Sequence, residues 1–190
     1  MTGGYHQIQS VLQAVDFSDY IEFAVGKRLR VTIDPESSVS FGIQPIQDNL
    51  IFRAAQLLAK ELSVQHGAHI NLQKHVPLSA GLGGGSSNAA ITLMGLNRLW
   101  ELGLSSADLG VFAEQLGADV PFFLTGGTAL ATGIGTTLCQ LPSRSKDWVL
   151  LVFPDEDSVV QRKTAWMYKM FDEIGCPDEL KKCRDELKPV

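Results

Sequence analysis

The sequence predicts an α+β protein, and three patterns carry that expectation. Alternating apolar and polar residues dominate the first third, two glycine-closed helical stretches follow one another in the middle, and no regular strand–helix–strand rhythm links them. With 190 residues, 45% of them hydrophobic and 19% charged, the chain can bury one sizeable core, or two small lobes at most.

The strands come first. Ile8, Val11 and Val15 alternate with polar neighbours between His6 and Val15, and Ile21 to Val25 and Leu29 to Ile33 repeat the alternation across a turn-like Gly26-Lys27. These read as antiparallel sheet with one buried face. Asp48 or Asn49 then caps an apolar stripe, Leu50, Ile51, Ala54, Ala55, Leu57, Leu58 and Leu62, at helical spacing, with a stop expected at Gly67. A short strand follows from His69 to Val76, with Ile70, Leu72 and Lys74 pointing one way. Pro77 closes it, and Gly81 to Ser87 reads as a loop.

A second helix is expected from about Asn88 to Leu102, stopped by Gly103, and a third from about Ala107 to Leu116. Ser105 and Asp108 form a capping-box pair at the start of the third, and Gly117 stands where a left-handed residue closes it. Phe122 to Leu124, Thr128 to Thr132, Thr136 to Leu141 and Trp148 to Phe153 read as strands. Arg162 to Ile174 and Asp178 to Leu187 read as charged helices, the latter alternating in sign as a solvated face does.

Composition excludes several classes. The net charge of -5 gives no basic footprint for a nucleic acid backbone. The stretches His75 to Asn97 and Val120 to Ser143 carry no Asp, Glu, Lys or Arg, but Gly, Ser, Thr and Pro break both, so neither spans a membrane. Met1 to His6 has neither the basic nor the apolar region of a signal peptide, which leads us to expect a cytoplasmic location, or a plastid stroma. Cys139, Cys176 and Cys183 lack metal-ligand spacing and are expected to be reduced thiols.

Chemistry concentrates in Pro77-Leu78-Ser79-Ala80-Gly81-Leu82-Gly83-Gly84-Gly85-Ser86-Ser87-Asn88-Ala89-Ala90. Four glycines in five positions let the backbone approach an anion. Ser86 and Ser87 add hydroxyls, and a helix opening at Asn88 adds unpaired N–H groups and its positive end. A flexible linker needs no helix start attached to it. No Gly-Lys-[Ser/Thr] follows, and Ser86 stands where a Gly-x-Gly-x-x-Gly count needs glycine, so two familiar phosphate loops are excluded.

The second signal is Gly117-Ala118-Asp119-Val120-Pro121-Phe122-Phe123. An Asp between an apolar helix end and a proline-fixed apolar segment is expected to be partly buried. It can accept or orient a hydroxyl proton, bind Mg²⁺, or hold a turn, and the segment alone leaves all three open. Asp119 lies 32 residues beyond Ser87, across two helices that can return it to the loop. His66, His69 and His75 share no metal spacing and read as surface or strand residues, and no Gly-x-Ser-x-Gly elbow supports a Ser86, His6 and Asp119 hydrolase. Trp100, Trp148 and Trp166 read as packing residues.

These two motifs, with Gly4-Tyr5-His6 and Asp48-Asn49-Leu50-Ile51, resemble the GHMP small-molecule kinases from about Gly4 to Tyr168, in that family's order and at roughly its spacing. The greatest likeness is to the branch that phosphorylates the 2-hydroxyl of 4-diphosphocytidyl-2-C-methyl-D-erythritol. Homoserine or mevalonate phosphorylation fits Tyr5-His6 and the triple glycine less well. The resemblance implies the GHMP fold, with an N-terminal lobe like ribosomal protein S5 domain 2 and a partial second lobe: residues 1–142 an ATP-binding domain lacking its first strand, 143–190 the beginning of the next lobe.

The resemblance also implies roles. Pro77, Gly81, Leu82, Gly83, Gly84, Gly85, Ser86, Ser87 and Asn88 would surround the ATP phosphates, with Asn49, Leu50 and Lys74 on the adenine side and Mg²⁺ accompanying the nucleotide. Asp119 would be the acid-base or hydroxyl-orienting residue. Tyr5 and His6 would face the cytidine, with Thr164 and Tyr168 on the substrate side. Two departures are visible: the family's Lys-bearing first strand should precede Gly4, and its second glycine-rich loop should follow Val190. Loss of that Lys makes a binding protein without turnover the rival expectation. Loss of the strand would leave the edge near His6 to Val15 open to pairing with a second copy.

Overall fold

The computed structural model describes residues 6–35, 37, 48–143, 147–153 and 163–174, in two units that divide between Phe153 and Pro154. In the first unit a three-stranded sheet is ordered β2–β4–β3, from Tyr20–Gly26, Gly67–Gln73 and Arg30–Ile33. β2 runs antiparallel to the central β4 and β3 runs parallel to it, so Ile70 sits between Phe23 and Val31, and Leu72 between Ile21 and Ile33. Alternation does what the sequence predicts: Ala68, Ile70, Leu72 and also Lys74 are buried, while His69 is exposed. Thr32, His69 and Asn71 share a hydrogen-bonded polar face on the other side.

The expected pairing of β2 with β3 is corrected. β4 enters between them because Gly67, its first residue, has no side chain and lies under the turn at Arg28. A Cβ there would stand 2.3–2.5 Å from Arg28 backbone atoms. The short connection thus passes over β4 instead of closing a hairpin, and the parallel β3–β4 pair is joined by α1, Leu50–Glu61, as parallel strands require.

Two helices, α1 and α2 (Gly84–Leu99), pack on the apolar face, and α3 (Ser106–Leu116) and α4 (Val120–Thr125) pack in turn on them. Their core residues are largely small. Ala54, Ala55, Ala89, Ala90 and Ala113 are fully buried beside Ile51, Leu58, Leu93, Leu96 and Val120, so the helices approach closely. Trp100 packs partly buried against this core and donates Nε1 to the Gly67 carbonyl. β1 (Ile8–Gln13), β5 (Thr128–Gly133) and β6 (Thr137–Leu141) form a second, antiparallel sheet in which β1 is an edge strand, paired from Ile8↔Gly133 to Gln13↔Thr128. No helix among the described residues is long and apolar enough to cross a membrane.

Asn49 caps α1, accepting the Ile51 N–H at 2.9 Å, and Ser105 and Asp108 form the expected capping box on α3. Several boundaries are corrected. α1 ends at Glu61, and Ser63, at φ 52°, makes the turn that Gly67 was expected to make. α2 begins at Gly84, four residues before Asn88, because the first turn of a helix uses no intrahelical N–H bonds and so tolerates glycine and serine. Gly117 closes α3 in extended backbone (φ 165°), not left-handed. Phe122 to Leu124 is helical within α4, since Pro121 suits a first helical turn and has no N–H for a sheet. Residues 148–153 form no strand, and Trp148 is fully exposed rather than packed.

In the second unit, α5 (Lys163–Ile174) carries Trp166 half-exposed and an exposed Lys169–Glu173 pair one turn apart. Cys139 is a free, exposed thiol. Gly4, Tyr5, Cys176, Cys183 and the helix expected from Asp178 to Leu187 lie outside the described residues.

Two glycines give opposite expectations. Gly67→Ala meets Arg28 backbone that cannot yield, and is expected to cost about 1–3 kcal/mol. Gly110→Ala, inside α3 with open space at its Cβ position, should add up to about 1 kcal/mol. Urea midpoints moving in opposite directions are the check.

Candidate functional site

The glycine-rich segment is a turn feeding directly into a 16-residue helix. Ser79, Gly81 and Gly83 have φ of 57°, 77° and 65°, so positive φ recurs at alternate residues, the kind of backbone alternation from which anion nests are built. Ser79 is the only non-glycine of the three, and a β-carbon in that region carries strain. Gly83 is the N-cap of α2 and offers no side chain to its first turn. The Ser87 N–H reaches the Gly83 carbonyl at 2.8 Å, which leaves the N–H groups of Gly84, Gly85 and Ser86 without an intrahelical acceptor, at the positive end of the helix.

The two serines differ. Ser87 donates its hydroxyl to the Gly84 carbonyl at 2.9 Å, bracing the first turn, whereas the Ser86 hydroxyl is not so engaged among the described residues. Two glycines are held by packing. A Cβ on Gly83 would stand 2.8 Å from the Phe123 ring, and one on Gly84 would stand 2.9 Å from Val76 Cγ1 and 3.2 Å from Lys74 Nζ. A Cβ on Gly85 would lie in ordinary contact with Leu50 Cδ1, at 3.5 Å.

Those contacts gather the other expected residues. Leu50 opens α1, so the N-terminal ends of α1 and α2 meet at Gly85, with Asn49 as the α1 cap. Phe123 lies one turn into α4 from Asp119, the N-cap of that helix, so the contact with Gly83 draws Asp119 to the same end of the molecule. Asp119 is exposed, not partly buried as expected, because it stands outside the first turn of α4, and its carboxylate makes no cap bond. His6 is half-buried just before β1. Thr164 and Tyr168 stand one turn apart on α5, in the second unit.

The residue that the sequence reading missed is Asp19, in the loop between β1 and β2. Its Oδ1 accepts the His75 and Val76 N–H groups at 2.7 and 2.8 Å. Its Oδ2 accepts the Asn88 amide and the Lys74 ammonium, each at 2.8 Å. The Asp19 and Lys74 side chains are 1% and 3% exposed. Lys74 therefore turns inward, with its ammonium also on the Val76 carbonyl, and its side chain underpins the loop instead of lining an adenine subsite. Asn88 is likewise buried on Asp19 and presents no amide to a ligand. The signal was present: a lysine between Leu72 and Val76, where the alternation of β4 continues inward past its end at Gln73, demands a carboxylate.

Burial alone would raise the Asp19 carboxyl. Lys74, the two backbone N–H groups and Asn88 outweigh it and hold the carboxyl below its ordinary value of 3.8. A lowered folded value stabilises the protein above the unfolded value and loses that contribution as pH falls through the folded one.

Residues 49–127, which hold the α1 cap, the glycine turn and Asp119, match the GHMP kinases N terminal domain. The chain is 38% identical over 93% of its length to a 4-diphosphocytidyl-2-C-methyl-D-erythritol kinase of Prochlorococcus marinus (strain MIT 9301), covering 55% of that protein. It is 46% identical over 80% of its length to the kinase of the same name from Haemophilus ducreyi, covering 52% of it. Over residues 49–127 the chain is similar to the GHMP kinases. It spans about half the length of the curated relatives it matches. Among solved structures, a 4-(cytidine 5'-diphospho)-2C-methyl-D-erythritol kinase superimposes with a TM-score of 0.61 at 33% identity, over 74% of this chain and 48% of that one. A Methanococcus jannaschii mevalonate kinase, at TM-score 0.56 and 12% identity over 75% of this chain and 57% of its own, shares the fold. The α+β GHMP fold expected from the sequence is thus the fold observed.

Asp19→Ala removes the carboxylate that meets the buried Lys74 ammonium, and should cost about 3–5 kcal/mol in chemical denaturation. The difference in melting temperature between the wild type and Asp19→Asn should hold steady from neutral pH down to about pH 5, then narrow as pH drops below 3.8, when the wild-type carboxylate begins to take up its proton.

Proposed function

We propose that this chain carries the nucleotide-binding part of an ATP-dependent kinase that phosphorylates the 2-hydroxyl of 4-diphosphocytidyl-2-C-methyl-D-erythritol. The observation that carries the reading is the helix opening on Gly83-Gly84-Gly85, where three N–H groups without helical acceptors meet a turn of alternating positive φ. Phosphoryl transfer asks a protein for positioning and charge stabilisation, and oriented N–H groups provide both.

The residues fit a nucleotide triphosphate. A side chain at Gly83 or Gly84 would collide with the structure behind the turn, while Gly81 has open space at its Cβ position and owes its place to its φ of 77°. Gly84, Gly85 and Ser86 would donate their N–H groups to the phosphate oxygens, and Ser86 its hydroxyl. Mg²⁺ in this reading accompanies the nucleotide and would be held by its phosphates. In the reaction the substrate hydroxyl oxygen forms a bond to the γ-phosphorus, the bond from that phosphorus to the ADP oxygen breaks, and the hydroxyl proton passes to the Asp119 carboxylate. The names of the relatives at 38% and 46% identity support the cytidine-linked substrate.

Incubation with Mg-ATP and 4-diphosphocytidyl-2-C-methyl-D-erythritol should yield phosphorylated product by mass spectrometry. Asp119→Asn should lower its rate by about 10²–10⁴-fold with ATP affinity kept within a few-fold. Mg-ATP at 100 times its Kd should stabilise the fold by about 2.7 kcal/mol. Absence of both product and thermal protection would overturn the reading.

A further inference from the structure

We propose that Asp19 is the positioning residue of the glycine-rich turn, a single carboxylate that fixes both where the turn begins and where it ends. The inference rests on the nucleotide-binding reading above and adds to it a residue outside the segment that would touch the ligand.

The connectivity carries it. Oδ1 takes the N–H groups of His75 and Val76, the last two that the chain can offer before Pro77, which has none. Oδ2 takes Asn88, on α2 directly after Ser87. One side chain therefore bridges the residues on either side of the segment 77–87. The exit is seated on the same cluster a second time, because Gly84 rests against Val76 and the Lys74 ammonium. No buried side-chain polar atom in the described residues lacks a partner, so the cluster is fully satisfied.

Charge gives the cluster a second task. A lone carboxylate beneath an anion-receiving turn would repel phosphate, and Lys74 at 2.8 Å cancels it. The pair is neutral as a whole, so the attraction for an anion is left to the N–H groups above it.

The experiment separates positioning from general stability. Replacing the pair with apolar residues, Asp19→Leu together with Lys74→Met, removes the clamp without stranding a charge, and Asp19→Asn keeps an acceptor while removing the charge. Hydrogen exchange is followed at Ser87 to Ala90 and, as an internal reference, at Leu130 and Ala131 in the other sheet, alongside ATP binding. The proposal expects exchange at 87–90 to rise at least about tenfold in the double variant while 130–131 stay within about twofold, and the Kd for Mg-ATP to rise at least about tenfold, a loss of about 1.4 kcal/mol. Asp19→Asn should fall between it and the wild type. Unchanged exchange at 87–90, or an equal rise at both places, overturns the proposal. If the wild type itself does not bind Mg-ATP, the nucleotide reading fails, and the exchange at 87–90 still decides whether Asp19 sets the turn.

Discussion

The buried ion pair between Asp19 and Lys74 is the constraint on which the geometry of the site depends. A buried residue at the end of a core strand is normally apolar, and the lysine just past β4 is tolerable only because a carboxylate meets it with every oxygen engaged. In consequence a loop far from the glycines in sequence is bound to the end of β4 and to the start of α2. The structure spends a buried charge pair at this place where a leucine and a methionine would serve stability as well, which is understandable if the pair specifies an arrangement.

Around that centre the glycines work by what they lack. Gly83 combines a left-handed backbone with close contact to the Phe123 ring, and Gly84 lies on Val76 and Lys74, so the turn is packed from behind and open in front. Leu50 against Gly85 and Phe123 against Gly83 bring the start of α1, and Asp119 at the start of α4, to the same end as the opening of α2. Elements separated by dozens of residues thereby present their N–H-rich ends to a common place. Anion recognition and a nearby carboxylate follow from helix packing, with small residues allowing the close approach.

Much of this was legible in the sequence, and the failures have identifiable causes. The caps at Asn49 and at Ser105 with Asp108 are local patterns and stand as expected. The glycine turn was recognised by composition, but its helix starts four residues sooner, because propensity undervalues glycine at positions where no intrahelical N–H bond is made. Phe122 to Leu124 misled through aromatic content, with Pro121 marking a helix start and not a strand. Strand order was beyond local patterning: nothing between Gly26 and Leu29 says that β4 passes between β2 and β3, and only the bare backbone of Gly67 makes room for it. Asp19 was hidden for the same reason, since its partners lie some 55 to 70 residues away.

The pairing of β1 with β5 orders events in time. Ile8 finds its partner at Gly133, at the far end of the helical layer. On a ribosome adding 5–20 residues each second, β1 therefore waits about 6–25 s after it is made before its partner strand exists. The β2–β4–β3 sheet and its helices are complete sooner and can settle first. The helical layer with its glycine turn is then the scaffold on which the second sheet closes, and β1, with Val11 exposed, is the segment a nascent chain has the longest opportunity to pair wrongly.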